Sequence, residues 1–259
     1  MMARLPRIPD LLTTANLACG MGSILLASQG QLTWACWLVF IGAFFDVLDG
    51  LAARALGGGS PLGAQLDSLA DMVTFGVAPA FIVFLTSGTM IELDLPGPLG
   101  LPYSTADITI KAAILLLVVA SCWRLAKFNL DTRQTSGFLG LPTPANGLFW
   151  ASMVLVSLNV AVHPGPGSDV LAGLVVSLLR SSTALLIVCV GMAALMLSEL
   201  PLPGLKFKHF RWQGNQVVYL LAGLGAVLVV GYGILAVPLI MVLYILSPLW
   251  RRVFGKAGY

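Results

Sequence analysis

Long apolar runs recur through the chain at 11–29, 32–53, 64–86, 109–128, 145–162, 181–198, 216–233 and 234–249. A bilayer core about 30 Å thick is crossed by about 20 apolar residues in a helix, so runs of this length have one economical use. Hydrophobic residues make up 58% of the 259 and charged residues 10%, and the mean hydropathy is +0.94. Those proportions exclude an ordinary soluble domain. The reading is an all-α integral membrane protein with about eight transmembrane helices, the last two the least separable because Gly231, Gly233 and Pro238 crowd the join.

Basic residues collect on the cytoplasmic side of membrane proteins, and eight spans with the amino terminus inside put Arg4, Arg7, Arg54, Arg124, Lys127, Arg133, Lys206, Lys208, Arg211, Arg251, Arg252 and Lys256 there. Lys111 and Arg180 fall outside. The expected organisation is an interfacial amino-terminal segment over 1–10, a membrane-embedded domain over 11–249 and a cytoplasmic tail over 250–259. Thr13, Thr14 and Asn16 interrupt the first run and no clean cleavage site follows, so it is expected to be retained as a span. The net charge of +3 follows from this topology, and no clustered aromatic and basic surface marks a nucleic-acid binder. Cys19, Cys36, Cys122 and Cys189 lie in four different runs without metal or redox spacing and read as packing residues. His163 and His209 are isolated and read as solvated or interfacial.

Against this background the acidic residues stand out. Asp46, Asp49, Asp67 and Asp71 fall in a short stretch flanked by Phe, Leu, Val and Ala. A single Asp at the bilayer centre costs roughly 2.5–3.5 kcal/mol on insertion scales, so four require a neutralising partner. Residues three and four apart share a helix face, which puts Asp46, Asp49, Gly50, Ala53 and Arg54 in one stripe and Gly63, Asp67 and Asp71 in another. The turn Leu56-Gly57-Gly58-Gly59-Ser60-Pro61 between them makes the two helices antiparallel neighbours. Four carboxylates supply hard oxygen ligands suited to Mg²⁺, Mn²⁺ or Ca²⁺. Two such cations clamp a phosphoryl group, and Arg54 has the fork geometry that binds phosphate. Gly50, Ala53 and Gly63 let a bulky ligand approach the helix backbones.

The stretch Asp46-x-x-Asp49-Gly50-x-x-Ala53-Arg54, eight residues, Gly63-x-x-x-Asp67-x-x-x-Asp71 matches without departure the signature of the CDP-alcohol phosphotransferases, which the chain therefore resembles. These are integral membrane enzymes that displace CMP from a CDP-linked lipid with the hydroxyl of a small alcohol. The resemblance implies that Asp46, Asp49, Asp67 and Asp71 coordinate two divalent cations, Mg²⁺ or Mn²⁺. It implies that Gly50, Ala53, Arg54 and Gly63, together with Asn16, line the CDP pocket, that Asp71 is the general base, and that the enzyme is a homodimer with a six-helix core.

The segment 65–80 closely resembles the corresponding stretch of the membrane-spanning phosphatidylserine synthases, with Thr74 in place of the usual Ser. Arg124-Leu125-Ala126-Lys127-Phe128-Asn129, the stretch Phe138 to Ala145 and Asn16 to Gly20 extend that likeness over roughly 9–150, while Asp10 stands where Asn is more usual. The resemblance implies phosphatidyl transfer from CDP-diacylglycerol to L-serine, giving phosphatidylserine and CMP, at a site facing the cytoplasm of a bacterial-type inner membrane. A serine carboxylate calls for a guanidinium or an amide, and Arg124, Asn129 and Arg133 are the candidates, with Asp131 for the ammonium. Two alternatives stay open. The same chemistry can serve glycerol phosphate, inositol phosphate or an archaeol-type lipid, and a cation-coupled transporter would use the aspartates as an ion path but gives no reason for Gly50, Ala53, Arg54 and Gly63.

Overall fold

A computed structural model describes residues 7–58, 60–90, 105–130, 137–203 and 216–254. Helix α1 (Ile8–Ser28) and helix α2 (Leu32–Ala55) form an antiparallel hairpin closed by Gly30, whose φ of 78° suits a residue without Cβ. Gly57 and Gly58, with φ of 91° and 110°, then turn the chain into α3 (Pro61–Asp71). Ser60 caps α3 by accepting a hydrogen bond from the Gly63 amide at 2.9 Å, with Pro61 in the first turn. The helix continues through a π-helical segment, Met72–Val77, into α4 (Ala78–Met90). Next come α5 (Thr105–Leu130), strand β1 (Gly137–Leu139), α6 (Thr143–Ser157), α7 (Ser168–Arg180), α8 (Ser182–Leu197), strand β2 (Pro201–Pro203), α9 (Gln216–Tyr232) and α10 (Ala236–Phe254). The two short strands pair antiparallel, Phe138 opposite Leu202, and tie the α5–α6 and α8–α9 connections together.

The helices are amphipathic in the sense opposite to those of a soluble bundle. The buried face of α1 is Thr13, Asn16, Gly20, Ser23 and Ala27, small or polar throughout, while Ile8, Leu11, Met21 and Leu25 point outward. On α2 the buried set is Ala35, Cys36, Val39, Gly42 and Asp49, and Ile41, Phe44, Val47 and Leu51 are exposed. Lipid solvates large apolar side chains as well as a protein core does, so close packing is left to small residues. The protein is an integral membrane protein with a helical fold. At the centre stands α6, buried along most of its length from Thr143 to Val156. Its Trp150 indole donates to Asn146 Oδ1 at 3.1 Å, and Gly147 lets it close on Phe75, whose Cα lies 2.9 Å from where a Cβ would stand.

The expected runs coincide with helices, but not all are long enough to cross a membrane. Among the described residues four helical stretches meet that requirement, Ile8–Ser28, Leu32–Ala55, Pro61–Gly88 and Ile108–Leu130, and α7 with α8 makes a fifth if that pair, bent by 96°, is one broken span. The eight expected spans are thus not all matched by helices of that length among the described residues. At 15 residues α6 is about 22 Å long, short for a bilayer yet nearly enclosed by protein. Helix α7 was not expected at all: it falls after the fifth apolar run, where Val175 and Leu179 face inward and Val170 and Leu174 outward.

Candidate active site

Helices α1, α2 and α3 meet at one end of the bundle around a cavity of about 160 Å³. Arg7, Pro9, Asp10 and Thr13 line it from the start of α1, Asp49, Gly50 and Ala53 from the end of α2, Gly58 and Ser60 from the turn, and Gly63, Ala64 and Asp67 from α3. The small residues keep this space open. A Cβ on Gly63 would stand 3.0 Å from Asp10 Oδ1 and 3.2 Å from Ser60 Oγ, so the first turns of α1 and α3 approach as closely as they do only because that position is bare. A Cβ on Gly50 would come within 3.3 Å of Arg54 Nη1, so the Arg54 guanidinium lies against the Gly50 backbone, although Arg54 is not itself among the residues that line the cavity.

Beside the cavity the carboxylates converge. Asp46, Asp49 and Asp67 each offer an oxygen within 4.8 Å of the others. Asp49 is only 7% exposed, and its Oδ2 accepts a 2.6 Å hydrogen bond from Thr13 Oγ1. Asp67 Oδ1 is buried without a hydrogen-bond partner. Asp71 stands behind this trio: its carboxyl touches that of Asp46, and its Oδ1 accepts from Asn16 Nδ2 at 3.1 Å.

Three crowded carboxylates, one with a buried oxygen that has no hydrogen-bond partner, form a site that a bound cation would stabilise. An all-oxygen donor set on two rigid helices fits a hard divalent cation. No lysine or arginine ion pair to these groups is found among the described residues, which leaves a cation as the neutralising partner that fits the donor set.

The motif stripes expected from the sequence are thus brought together, and the structure adds partners from α1 that the motif does not contain. Asn16 was expected in the CDP pocket; it is fully buried and bonded to Asp71, outside the residues that line the cavity. Thr13, Asp10, Ser60 and Arg7 were not among the expected site residues. The available signal was helical spacing, since Thr13 lies one turn before Asn16 on the same face of α1.

Two of the serine-binding candidates, Arg124 and Asn129, lie on α5. Ser121 packs against Gly76, and Asn129 donates from Nδ2 to Ser68 Oγ at 2.8 Å, so α5 descends alongside the π-helical segment and α3. Arg124 falls between those contacts, 4% exposed, with Nε donating to the Leu141 carbonyl at 3.2 Å and the guanidinium 5.4 Å from the Phe128 ring centroid. Arg133 and Asp131 lie outside the described residues.

Comparison with known proteins agrees with this geometry. The family model for CDP-alcohol phosphatidyltransferase matches residues 7–179, two thirds of the chain and all of the carboxylate site. The chain belongs to that family. A CDP-diacylglycerol–serine O-phosphatidyltransferase of Helicobacter pylori (strain J99) is 31% identical over 248 residues, covering 95% of this chain and 91% of the relative. An enzyme of the same name from Bacillus subtilis is 34% identical over 158 residues, 61% of this chain and 77% of its own length. An archaetidylserine synthase of Methanothermobacter thermautotrophicus is 34% identical over 151 residues, 57% of this chain and 58% of the relative. The match to the family model begins at Arg7, so the α1 residues that face the aspartates fall inside it.

Proposed function

We propose that this CDP-alcohol phosphatidyltransferase moves the phosphatidyl group of CDP-diacylglycerol onto the hydroxyl of L-serine, yielding phosphatidylserine and CMP. The observation that carries the chemistry is the meeting of Asp46, Asp49 and Asp67 within 4.8 Å beside a cavity kept open by Gly50, Ala53 and Gly63. The serine assignment rests on the likeness to the Helicobacter pylori and Bacillus subtilis enzymes.

In this reading Asp46, Asp49, Asp67 and Asp71 hold two divalent cations, Mg²⁺ or Mn²⁺, with Ca²⁺ a further candidate. When bound, such cations polarise a pyrophosphate and stabilise the charge that develops on departing CMP. The chain's own residues do the rest. Arg7 and Arg54 supply positive charge at the cavity mouth for the CDP phosphates. The bare Gly50 and Gly63 backbones and Ala53 admit the nucleotide between α2 and α3. Asp71, whose Oδ1 accepts from Asn16, takes the proton as the serine oxygen attacks the lipid-side phosphorus and the bond from that phosphorus to the CMP oxygen breaks. No covalent enzyme intermediate is required, because the serine hydroxyl attacks the phosphorus directly and CMP leaves in the same displacement. Arg124 and Asn129, with Arg133, receive the serine carboxylate.

The same proposal places the site at the cytoplasmic face of a bacterial-type inner membrane and the enzyme in a homodimer, which crosslinking in intact membranes tests. The chemistry is tested by incubating the purified protein with CDP-diacylglycerol, Mn²⁺ and labelled serine. Label passing into the organic-extractable lipid only when the metal is present supports the reading; label remaining in the aqueous phase would sink it.

A further inference from the structure

Thr74 lies three residues beyond Asp71, inside the π-helical segment, and is completely buried. Its Oγ1 donates a 2.9 Å hydrogen bond to the main-chain carbonyl of Asn16, the residue whose side chain holds Asp71. Two glycines on different helices are cut away around it. A Cβ on Gly20 of α1 would fall 2.7 Å from the Thr74 Cα and almost onto its hydroxyl. A Cβ on Gly42 of α2 would lie 2.6 Å from its Cγ2 and 3.0 Å from Asn16 Oδ1.

A helical carbonyl already accepts from the amide four residues on, which for Asn16 is that of Gly20, and any side chain at Gly20 would cover the oxygen's second lone pair. Glycine there uncovers it to Thr74. The π-helical segment, with its wider turn, is the irregularity that sets the Thr74 side chain apart from a regular α-helical position relative to Asp71.

We propose that Thr74 is a positioning residue of the reacting centre: its hydroxyl locks α1 against the helix that carries Asp71, so that the Asn16 amide meets the Asp71 carboxylate. The inference rests on the reading of Asp71 as part of that centre. A purely structural role for Thr74 would be filled by its shape, whereas a positioning role needs its hydrogen bond, and two substitutions separate these. Thr74→Val keeps both branches and loses the hydroxyl; Thr74→Ser keeps the hydroxyl and empties the Gly42 socket.

The experiment measures CMP release with CDP-diacylglycerol and serine, the thermal midpoint, and the rise in that midpoint on adding Mn²⁺, for the wild type, T74V, T74S and N16A, and for N16A with T74V. Loss of a hydrogen bond that orients a liganding carboxylate typically costs about 10- to 100-fold. T74V is expected to lower kcat about tenfold or more with little change in either KM and to lose much of the Mn²⁺-induced rise. T74S keeps kcat within about threefold although it melts lower, and in the N16A background T74V costs less than about twofold because both act on the same bond. The proposal is overturned if T74V turns over like the wild type, if activity in both variants simply follows the thermal midpoint, or if T74V costs as much without Asn16 as with it. Wild-type protein that releases no CMP yet responds to Mn²⁺ would sink the transferase reading alone, and the thermal arm would then decide the positioning claim. Neither turnover nor a Mn²⁺ response in the wild type would sink both.

Discussion

Thr13 on α1 donates a 2.6 Å hydrogen bond to Asp49 Oδ2 on α2, linking a carboxylate of the shared motif to a residue outside it. The bond fixes one oxygen of Asp49 and so the orientation of its carboxylate beside Asp46 and Asp67, the role that outer partners of metal ligands commonly have. Thr13→Val, which keeps the shape, is expected to raise the Mn²⁺ concentration for half-maximal CMP release about tenfold, with activity recovered at high metal. An unchanged metal curve would show that Asp49 is oriented without Thr13.

Asp46, Asp49 and Asp67 repel one another whenever nothing positive lies between them. Unit charges 4 Å apart interact with about 1 kcal/mol in water and about 4 kcal/mol near a protein surface. Asp67→Asn removes one member of the trio and is expected to raise the thermal midpoint in EDTA while lowering CMP release more than about 100-fold. It should also abolish the Mn²⁺-induced rise. A variant that melts lower than the wild type in EDTA would mean that the cluster is not under repulsive strain.

Gly63 is bare where α1 and α3 draw together, and a methyl group there points at Asp10 and Ser60 on the cavity wall. Gly63→Ala is expected to raise the KM for CDP-diacylglycerol about tenfold, in line with about 1–3 kcal/mol for forcing an extra methyl into a packed site. The KM for serine should hardly move. Equal effects on both substrates would place the cavity elsewhere in the reaction.

Much of this was readable in the residues. The spacing of Asp46, Asp49, Asp67 and Asp71, with the glycine turn between them, predicts carboxylates of α2 and α3 that converge, although that α1 packs against both helices was not legible. Those of Asp46, Asp49 and Asp67 do converge, because helical periodicity is local. The first four apolar runs became the four long helices for the same reason. What stayed hidden depends on contacts distant in sequence. Nothing in the motif says that Thr13 pairs with Asp49 across 36 residues, or that the Asn16 amide reaches Asp71 across 55. Hydropathy also reports apolarity but not enclosure: α6 is apolar and nearly surrounded by protein, although it is short for a bilayer. The bend of 96° between α7 and α8 falls at Ser181, which caps α8 by accepting from the Ala184 amide, a polar break that an apolar-run count passes over.

Arg124 is nearly enclosed, and a lysine cannot reproduce its planar fork. Arg124→Lys is expected to raise the serine KM about tenfold or more, the cost of about 1.5–3 kcal/mol for a lost charge-assisted bond, and to leave the KM for CDP-diacylglycerol unchanged. Loss of stability without a change in serine KM would assign Arg124 to the Leu141 contact alone.

The most direct test is CMP release by the purified protein from CDP-diacylglycerol with Mn²⁺, adding serine, glycerol 3-phosphate or inositol 1-phosphate separately, with Asp71→Asn alongside. The account predicts turnover with serine only, lost in the Asp71 variant. Turnover with one of the phosphorylated alcohols instead, or undiminished turnover in Asp71→Asn, would contradict it.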